Sequence, residues 1–467
     1  MIDEEIKQKV EYCLNCKNPQ CRTGCPLGNH IPDFIAQVKQ GDYQKAYEIL
    51  CETTVLPAIC GRICPHQKQC QGKCIRGIKG ETVSIGKIEA MVGDWALEQE
   101  NSLLNCYLKE GMSLEIESLR NIEGLKDTSN FNNIESLQHI TNVNNSEDAK
   151  NMKNAKINSK KVAIVGGGPA GLTAAAFLRK KGTQVTIYEK QKELGGILKR
   201  GIPDFRLKKE IVDKTIAQIL ALGIEVHYEK ELGKNLSLED LEEQYDAVFL
   251  SIGANIPRKM VIEGEELEGV FGGNTLLEKE NHPNYYGKNV AIIGGGNVAM
   301  DCARTIKRLG AQRVIVIYRR SEAEMPAEVK EIADAKREGV EFLFLTNITK
   351  VLGNTKVERI ECIKTQLVEK EGENRKVPID IENSNYIIPM DYVVMAVGGK
   401  ADTEMLKSQG IEMTKKKYVQ IDESRQTSHP KVFAGGDVAG QVSTVAWAAR
   451  DGRETAKKIK EYLEANC

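Results

Sequence analysis

The chain has 467 residues, a formal net charge of -1 and 41% hydrophobic residues. This length fits about three domains, and the balanced charge offers no basic surface for nucleic acid or an anionic membrane. The first residues, MIDEEIKQKVEYC, lack the apolar core of a signal peptide, and no stretch approaches the ~18 apolar residues of a membrane span. We therefore expect a soluble, cytoplasmic protein.

Cysteine is concentrated near the N-terminus, where nine of the 13 lie between Cys13 and Cys74. Eight of them form two tight runs, Cys13-x2-Cys16-x4-Cys21-x3-Cys25-Pro26 and Cys60-x3-Cys64-Pro65-x4-Cys70-x3-Cys74. Zinc, the alternative, would use two C-x2-4-C pairs that close one tetrahedron. The tight runs, with proline following directly in two places, are more typical of iron–sulfur ligation.

Residues 1–99 are predicted to form a compact helical domain. Between the cysteine runs, apolar residues recur at helical spacing and are interrupted at Gly41, which predicts two short helices. Residues 100–158 are rich in Asn, Ser and Lys and predict a partly disordered linker or insertion without chemistry, with a small helical element as the alternative. The remaining cysteines are expected to be buried or incidental thiols: Cys51, Cys106, Cys302, Cys362 and Cys467.

Two stretches share one order of apolar strand, glycine turn and helix, KVAIVGGGPAG at 161–171 and NVAIIGGGNVA at 289–299. Their patterns are G-x-G-x-x-G and G-x-G-x-x-A, at Gly166, Gly168, Gly171, Gly294, Gly296 and Ala299. Such a turn opens a βαβ unit and lays a pyrophosphate against a helix N-terminus. One fingerprint is a weak signal, but two in this context are strong, so the chain is predicted to bind two dinucleotides.

Further signals follow the first turn. The strand QVTIYEK reaches Glu189, about twenty residues beyond the glycines, where an acid can bond a ribose hydroxyl. The glycine- and proline-containing loop KELGGILKRGIPDFRL holds Gly196 and Arg206 and cannot be one helix. The strand AVFLSIGA reaches Gly253, where backbone is expected to approach another group closely.

In the second unit, the strand VIVIY runs into Arg319 and Arg320 rather than into an acid. Guanidinium groups pair with a 2′-phosphate that a carboxylate would repel, so this unit is predicted to prefer NADPH. The alternative is that both arginines are solvated turn residues.

After DYVVMAVGG, the chain closes with KVFAGGDVAGQVSTVAWAARDG. A strand is predicted to end at Gly436 and Asp437, and a helix to begin near Val442, unless this is a plain βα turn. Asp437 could bond a hydroxyl of a flavin cofactor, and the helix N-terminus could face the flavin ring.

No acid–base side chain is predicted, because such cofactors carry the chemistry themselves. The candidate cofactor-binding residues are Gly166, Gly168, Pro169, Ala170, Gly171, Glu189, Gly196, Arg206, Gly253, Gly294, Gly296, Asn297, Val298, Ala299, Arg319, Arg320, Gly398, Gly436, Asp437 and Thr444.

The motifs C-x2-C-x4-C-x3-CP, CGRICP, SIGKIE, GGGPAG, GIPDFRL, GGGNVAMD and AGGDVAG occur in this order. Together they resemble the two-dinucleotide flavoproteins and, within them, the small (β) subunit of NADPH-dependent glutamate synthase. The same module is similar to the large subunit of NADH-dependent ferredoxin:NADP+ oxidoreductase and the N-terminal part of dihydropyrimidine dehydrogenase.

The resemblance implies FAD, NADPH and two [4Fe–4S] clusters that share the cysteine runs crosswise. It implies that one cluster is held by Cys13, Cys16, Cys21 and Cys74. It implies that the other is held by Cys25, Cys64, Cys70 and, within SIGKIE, Glu89. Cys60 matches a family cysteine that is not a ligand, although chemistry alone would choose Cys60 over Glu89.

The predicted fold class is α/β, with two Rossmann-like dinucleotide-binding domains, one inserted in the other, preceded by a helical iron–sulfur domain. The FAD domain is predicted at 159–286 and 393–467, and the NADPH domain at 287–392. By resemblance, electrons pass from NADPH to an electron-accepting subunit in a hetero-oligomer, either a glutamate synthase large subunit or a ferredoxin-type protein. The alternatives are a ferredoxin-coupled transhydrogenase subunit, a non-catalytic nucleotide-sensing scaffold and, less favoured without a later C-x-x-C pair, a thioredoxin-reductase-like enzyme.

Overall fold

A computed structural model describes residues 4–109, 160–279, 281–370, 375–440 and 443–466. Its N-terminal part is helical, with α1 (Glu4–Glu11), α2 (Gln20–Gly24), α3 (Ile31–Lys39), α4 (Tyr43–Cys51), α5 (Pro57–Ile63), α6 (Ile85–Leu97) and α7 (Ser102–Lys109). Short 3-10 turns lie between α5 and α6, at His66–Lys68, Gln71–Lys73 and Ile75–Ile78.

Helices α3 and α4 confirm the prediction of two short helices around Gly41. This glycine has a φ of +78°, which a side chain would disfavour, and so it ends the first helix. Asp42 then caps α4, because its carboxylate accepts a hydrogen bond of 2.8 Å from the Lys45 N–H. Phe34 and Leu50 are fully buried where the two helices pack.

Helices α5 and α6 touch backbone to backbone. A Cβ added at Gly61 would overlap the backbone of Ala90, and one at Gly93 would overlap that of Ala58. Only glycine permits this approach, so the CGRIC segment on α5 is held directly against the SIGKIE segment on α6.

Helix α7 corrects the predicted start of the linker at residue 100. Its residues Leu103, Cys106 and Tyr107 are buried, and Gln218 accepts hydrogen bonds of 3.2 Å from the Ser102 hydroxyl and the Leu103 N–H. The helical domain therefore continues to at least Lys109, because α7 completes its core. The rest of the predicted linker, residues 110–158, lies outside the described residues.

The first sheet is parallel and contains β1 (Lys161–Val165), β2 (Gln184–Tyr188), β3 (Glu225–His227), β4 (Ala247–Leu250) and β16 (Val432–Ala434). The strand order is β16-β4-β1-β2-β3. The helices of this domain are α8 (Pro169–Lys180), α9 (Ile197–Arg200), α10 (Lys209–Leu220), α11 (Leu238–Gln244), α15 (Thr403–Ser408) and α16 (Val445–Ala465). The last helix was predicted from about Val442 but begins at Val445, because the Thr444 side chain caps it.

The second sheet is also parallel and contains β6 (Val270–Gly272), β7 (Asn289–Ile293), β8 (Arg313–Tyr318), β9 (Glu341–Phe344) and β14 (Tyr392–Met395). Its order is β6-β14-β7-β8-β9, and the helices beside it are α12 (Gly273–Leu277), α13 (Asn297–Arg308) and α14 (Val329–Arg337). An antiparallel sheet packs against it, formed by β10 (Thr346–Leu352), β11 (Arg359–Val368), β12 (Val377–Asp380) and β13 (Tyr386–Pro389).

The strand pairing corrects the predicted domain boundaries at 286/287 and 392/393. Both β6 and β14 hydrogen-bond within the second sheet, so the inserted domain is longer at each end. The chain crosses between the two domains at β5 (Ile256–Pro257) and β15 (Gly399–Lys400), which pair antiparallel with each other. Among the described residues, no helix is long and apolar enough to cross a membrane.

Candidate functional site

A cavity of about 700 Å³ lies between the two parallel sheets. It is in the size range of cofactor sites. The first glycine turn opens into it, whereas the second domain reaches it through Asn297 and Val298, at the N-terminus of α13. The predicted residues Gly171, Gly294, Gly296 and Ala299 do not line it. Most of the predicted cofactor-binding residues line it: Gly166, Gly168, Pro169, Ala170, Glu189, Gly196, Arg206, Gly253, Asn297, Val298, Gly398, Gly436, Asp437 and Thr444.

The first glycine turn joins β1 to α8 with little room to spare. A Cβ on Gly171 would overlap the carbonyl oxygen of Gly166, so this position accepts only glycine. Gly168 is different, because a Cβ there would meet nothing within 4 Å. Gly168 therefore presents bare backbone to the cavity at the N-terminus of α8, where a pyrophosphate could lie.

The second turn, between β7 and α13, has the same design. Gly294 has a φ of +138° and lies against the carbonyl of Ala396, whereas a Cβ on Gly296 would meet nothing within 4 Å. Ala299 replaces the third glycine and is fully buried. The two turns therefore offer matching places for two dinucleotides.

Glu189 lies at the end of β2 and is 6% exposed. Its carboxylate accepts hydrogen bonds from the backbone N–H groups of Gly167 at 2.8 Å and Gln191 at 2.9 Å. The acid thus holds the first glycine turn in shape while lining the cavity. Each oxygen keeps a lone pair that a ribose hydroxyl could use.

Asp437 follows β16 at the other side of the first turn. Burial raises the pKa of its carboxyl to about 6, the Ser443 side chain lowers it, and the charge of Asp451 raises it further. Asp451 is a residue that the sequence analysis missed: it is 2% exposed and accepts a hydrogen bond of 2.8 Å from the Gly436 N–H. No local motif marks it, because it lies nearly two turns inside α16.

Arg206 reaches the cavity but is held by carboxylates of the second domain. Its Nη1 donates to both oxygens of Asp301, at 2.9 and 2.7 Å, and its Nε lies 3.3 Å from Glu331. Asp301 is the last residue of GGGNVAMD and was not singled out from the sequence. Burial raises the pKa of its carboxyl to about 6, against the opposing effect of Arg206.

Arg319 and Arg320 lie at the carboxyl end of β8, beside the second glycine turn and outside the cavity lining. Arg319 is exposed, and the Arg320 Nε donates to the Lys376 carbonyl at 3.1 Å. The Arg375 guanidinium adds a third positive charge here, since it donates to the Tyr318 hydroxyl at 3.4 Å. Arg375 lies just before β12, more than fifty residues after Arg320, so sequence spacing gave no sign of it.

Cys13, Cys16, Cys21 and Cys74, the thiols of one predicted cluster site, line one small cavity in the helical domain. Burial, followed by the charge of Cys74, raises the pKa of the Cys21 thiol to about 12. Among the described residues, no three His, Cys, Asp or Glu side chains converge tightly enough to bind a single metal ion.

The second group contains Cys25, Cys64, Cys70, Glu89 and Cys60. Burial raises the pKa of Glu89 to about 8. Burial, with a smaller contribution from Glu89, also raises the thiol pKa values of Cys25 and Cys70. The amide of Asn29 donates to Glu89 at 3.2 Å. The Cys60 thiol is hydrogen-bonded to Cys64 and raises the pKa of that thiol.

This second group borders the large cavity. Ile63 and Pro65, the two neighbours of Cys64, line the cavity wall. The structure thus places one predicted cluster site next to the predicted flavin site, which sequence spacing could not show. The thiols outside the two runs are buried as predicted at Cys51, Cys106, Cys302 and Cys362, whereas Cys467 lies outside the described residues.

Two family models match the chain. The pyridine nucleotide-disulphide oxidoreductase family matches residues 132–452, and the dihydropyrimidine dehydrogenase domain II, 4Fe-4S cluster family matches residues 1–101. Among solved structures, FprA of Mycobacterium tuberculosis in complex with NADPH superposes with a TM-score of 0.58 at 21% identity, over 66% of this chain and 85% of that one. This similarity supports the fold alone.

Curated relatives cover nearly the whole chain. The glutamate synthase [NADPH] small chain of Escherichia coli is 32% identical over 98% of this chain and 92% of its own length. That of Halomonas elongata is 33% identical over 99% and 91%. The NADP(+)-dependent formate dehydrogenase subunit beta of Moorella thermoacetica is 34% identical over 95% of this chain but 60% of its own length.

The fold, the cavity and these families define the class as a pyridine nucleotide-disulphide type flavoprotein oxidoreductase with an N-terminal 4Fe-4S domain. Within this class, the chain belongs to the family of the small chain of NADPH-dependent glutamate synthase. The predicted fold class, the resemblance and the assignment as an NADPH-dependent enzyme are confirmed.

Proposed function

We propose that this protein takes electrons from NADPH and delivers them, by way of FAD and two [4Fe–4S] clusters, to a glutamate synthase large subunit. The observation that carries the proposal is a cavity lined by the first glycine turn, by Asn297 and Val298 at the N-terminus of α13, and by Ile63 and Pro65. This lining supports electron transfer from one dinucleotide to the other and on to the Cys64 group.

The residues at the first turn fit FAD. Gly168 leaves open space above the N-terminus of α8, and Glu189 and Asp437 offer acceptors for ribose and ribityl hydroxyls. We assign the second turn to NADPH, with Asn297 and Val298 at the cavity wall and Arg319 and Arg320 at the 2′-phosphate. Supplied together, the cofactors convert the two-electron chemistry of nicotinamide into single electrons that clusters can carry.

The two cysteine groups fit two clusters, each with four ligands. Burial raises the pKa of the Cys21 thiol to about 12 and that of the Cys25 thiol to about 11, which favours the protonated form of these two thiols. Iron must therefore displace the thiol protons, and cluster assembly should release protons. Glu89 would complete the second group as a carboxylate ligand.

We assign to the chain's own residues the role of positioning and enclosing the cofactors, and no role in proton exchange. Gly171 and Gly294 fix the turns, Glu189 braces the first turn, and Asp451 holds the Gly436 backbone. Ile63 is buried and lines the cavity directly before Cys64. We therefore assign no general acid or base.

The share of each relative's length that this chain covers favours a glutamate synthase partner over the other candidates. The chain spans 92% of the Escherichia coli small chain but 60% of the Moorella formate dehydrogenase subunit. We accordingly propose a hetero-oligomer with a large subunit, and we place it in the cytoplasm because its described cysteines are unpaired thiols.

The experiment is anaerobic affinity purification of the tagged chain from its own cells. We expect a co-purifying large subunit, about eight iron and eight sulfide per small chain, and bleaching of bound FAD by NADPH. Stoichiometric zinc without sulfide would refute the clusters, and a protein that retains FAD but is not reduced by NADPH would indicate a nucleotide-sensing scaffold. A different co-purifying enzyme would refute the glutamate synthase partner alone.

A further inference from the structure

The two dinucleotide-binding domains are joined covalently by two crossings, β5 at Ile256–Pro257 and β15 at Gly399–Lys400. Two short paired strands form a narrow connection, and connections of this kind allow domains to rotate about them. Pro169 and Asn297, the first residues of α8 and α13, line one cavity only if this rotation is fixed. Something outside the strands must therefore set the orientation.

A buried ionic contact crosses the same cavity away from these strands. Arg206, on the loop between α9 and α10 of the first domain, meets Asp301 on α13 of the second, with two N–O distances of 2.9 and 2.7 Å. Its Nε also lies 3.3 Å from Glu331 on α14. The side chains of Arg206 and Asp301 are 8% and 4% exposed.

The neighbouring residues extend this contact. Phe205 lies under the guanidinium groups of Arg304 and Arg308, at 4.5 and 4.0 Å from its ring centroid, which is cation–π geometry. Arg304 also forms an ion pair with Glu331, so one carboxylate is shared by arginines of both domains. The GIPDFRL loop thus docks into the second domain by two adjacent side chains.

The remaining charges around Arg206 and Asp301 come from each packed element. Glu328 places a negative charge near the guanidinium of Arg206. Lys209, the first residue of α10, places a positive charge near Asp301. Buried ion pairs add little net stability, because desolvation offsets their attraction, but an unpaired buried charge is strongly disfavoured. Such a pair penalises every orientation that separates its partners.

We propose that Arg206 is a positioning residue that locks the NADPH domain onto the FAD domain through Asp301 and Glu331. The lock keeps the N-termini of α8 and α13 at one cavity. This inference rests on the proposed assignment of FAD and NADPH to the two domains.

The test compares Arg206→Gln, Asp301→Asn and the conservative Arg206→Lys with the wild type, as anaerobic holoenzyme. Hydrogen exchange by mass spectrometry follows peptides that contain β5 and β15. Stopped-flow absorbance measures the dissociation constant for NADPH and the limiting rate of flavin reduction. Glu341→Gln is the matched control, since it breaks an exposed pair with Arg313 inside one domain.

Both charge-removing variants should speed exchange at β5 and β15 and lower the limiting rate by about tenfold, while the dissociation constant changes little. Arg206→Lys should be intermediate, because one ammonium cannot satisfy both carboxylates with the same geometry. Wild-type exchange at both strands in both variants would overturn the proposal. A second result would also overturn it: Arg206→Gln loses FAD, Asp301→Asn retains it, and hydrogen exchange at β5 and β15 stays at the wild-type rate. Arg206 would then bind the cofactor directly. Neither result bears on whether NADPH reduces the wild-type flavin.

Discussion

The carboxylate of Asp451 on α16 accepts a hydrogen bond of 2.8 Å from the backbone N–H of Gly436, fifteen residues earlier. Its other oxygen lies 2.8 Å from the Arg425 guanidinium. Gly436 has a φ of +74°, a conformation that glycine adopts freely and that side chains disfavour. Because glycine is also free to adopt other conformations, a hydrogen bond from outside the turn is needed to fix this one. Asp451 provides it from beneath the candidate flavin site.

Asp451→Asn should weaken FAD binding by about tenfold, because the amide replaces a charge-assisted bond worth roughly 1.5–3 kcal/mol by a neutral one. Fluorescence titration of FAD into the apoprotein measures this. Glu454→Gln, which changes a more exposed carboxylate on the same helix, is the control and should bind FAD normally. Equal affinity in both variants would show that the Gly436 turn holds itself.

The sequence predicted those parts of the site that depend on local pattern. Both glycine turns, the break at Gly41 and the cysteine runs follow from residues close together in the chain. Asp451 and Asp301 were missed because their roles depend on partners far away in sequence. The predicted boundaries of the inserted domain were wrong for the same reason. The strand Val270–Gly272 is too short to show a hydrophobic period, and the apolar strand Tyr392–Met395 could belong to either sheet. Sheet membership is set by pairing between distant strands.

Two glycines of the first turn should respond differently to alanine. Gly171→Ala should destabilise the protein by about 1–3 kcal/mol, because its Cβ would overlap the Gly166 carbonyl. Gly168→Ala should keep wild-type stability as apoprotein but lose FAD affinity, because its Cβ enters open space where a phosphate would lie. Thermal unfolding and FAD titration separate the two effects. Similar melting temperatures for the two apoproteins would contradict this account.

Replacing Arg319 and Arg320 together by alanine should raise the KM for NADPH at least tenfold, since ~1.4 kcal/mol already gives that factor. The limiting rate of flavin reduction should change little, because the 2′-phosphate binds alike in ground and transition states. NADH use should be unaffected or slightly improved. The check is stopped-flow reduction of bound FAD by each nucleotide. Arg313→Gln on the same strand serves as control, and an equal loss with both nucleotides would indicate a structural role.

Acid should weaken the second domain through Glu338. Hydrogen bonds from Arg308 and Arg304 lower the pKa of this carboxyl to about 2. Because the folded-state pKa lies below the ordinary value of 4.5, the stabilisation is present above pH 4.5 and is lost as the pH falls toward 2.

Glu338→Gln should therefore lower the free energy of unfolding at pH 7 by about 1 kcal/mol, allowing for partial solvent screening. The difference from wild type should be smaller at pH 3. Urea unfolding followed by circular dichroism at both pH values measures it, with the exposed Glu266→Gln as control. A difference that grows at pH 3 would have the wrong sign.

Glu89 and Cys60 compete as the fourth ligand of the Cys25, Cys64 and Cys70 group, and substitution can separate them. Glu89→Ala should reduce the iron from about eight to about four atoms per chain, because one cluster loses a ligand. Cys60→Ser should retain all the iron, since in the proposed arrangement its thiol only bonds Cys64. Flavin reduction by NADPH should persist in both variants. Iron analysis and EPR of the dithionite-reduced proteins give the measurement. Full iron and two unchanged cluster signals in Glu89→Ala, with loss in Cys60→Ser, would assign the ligand to Cys60.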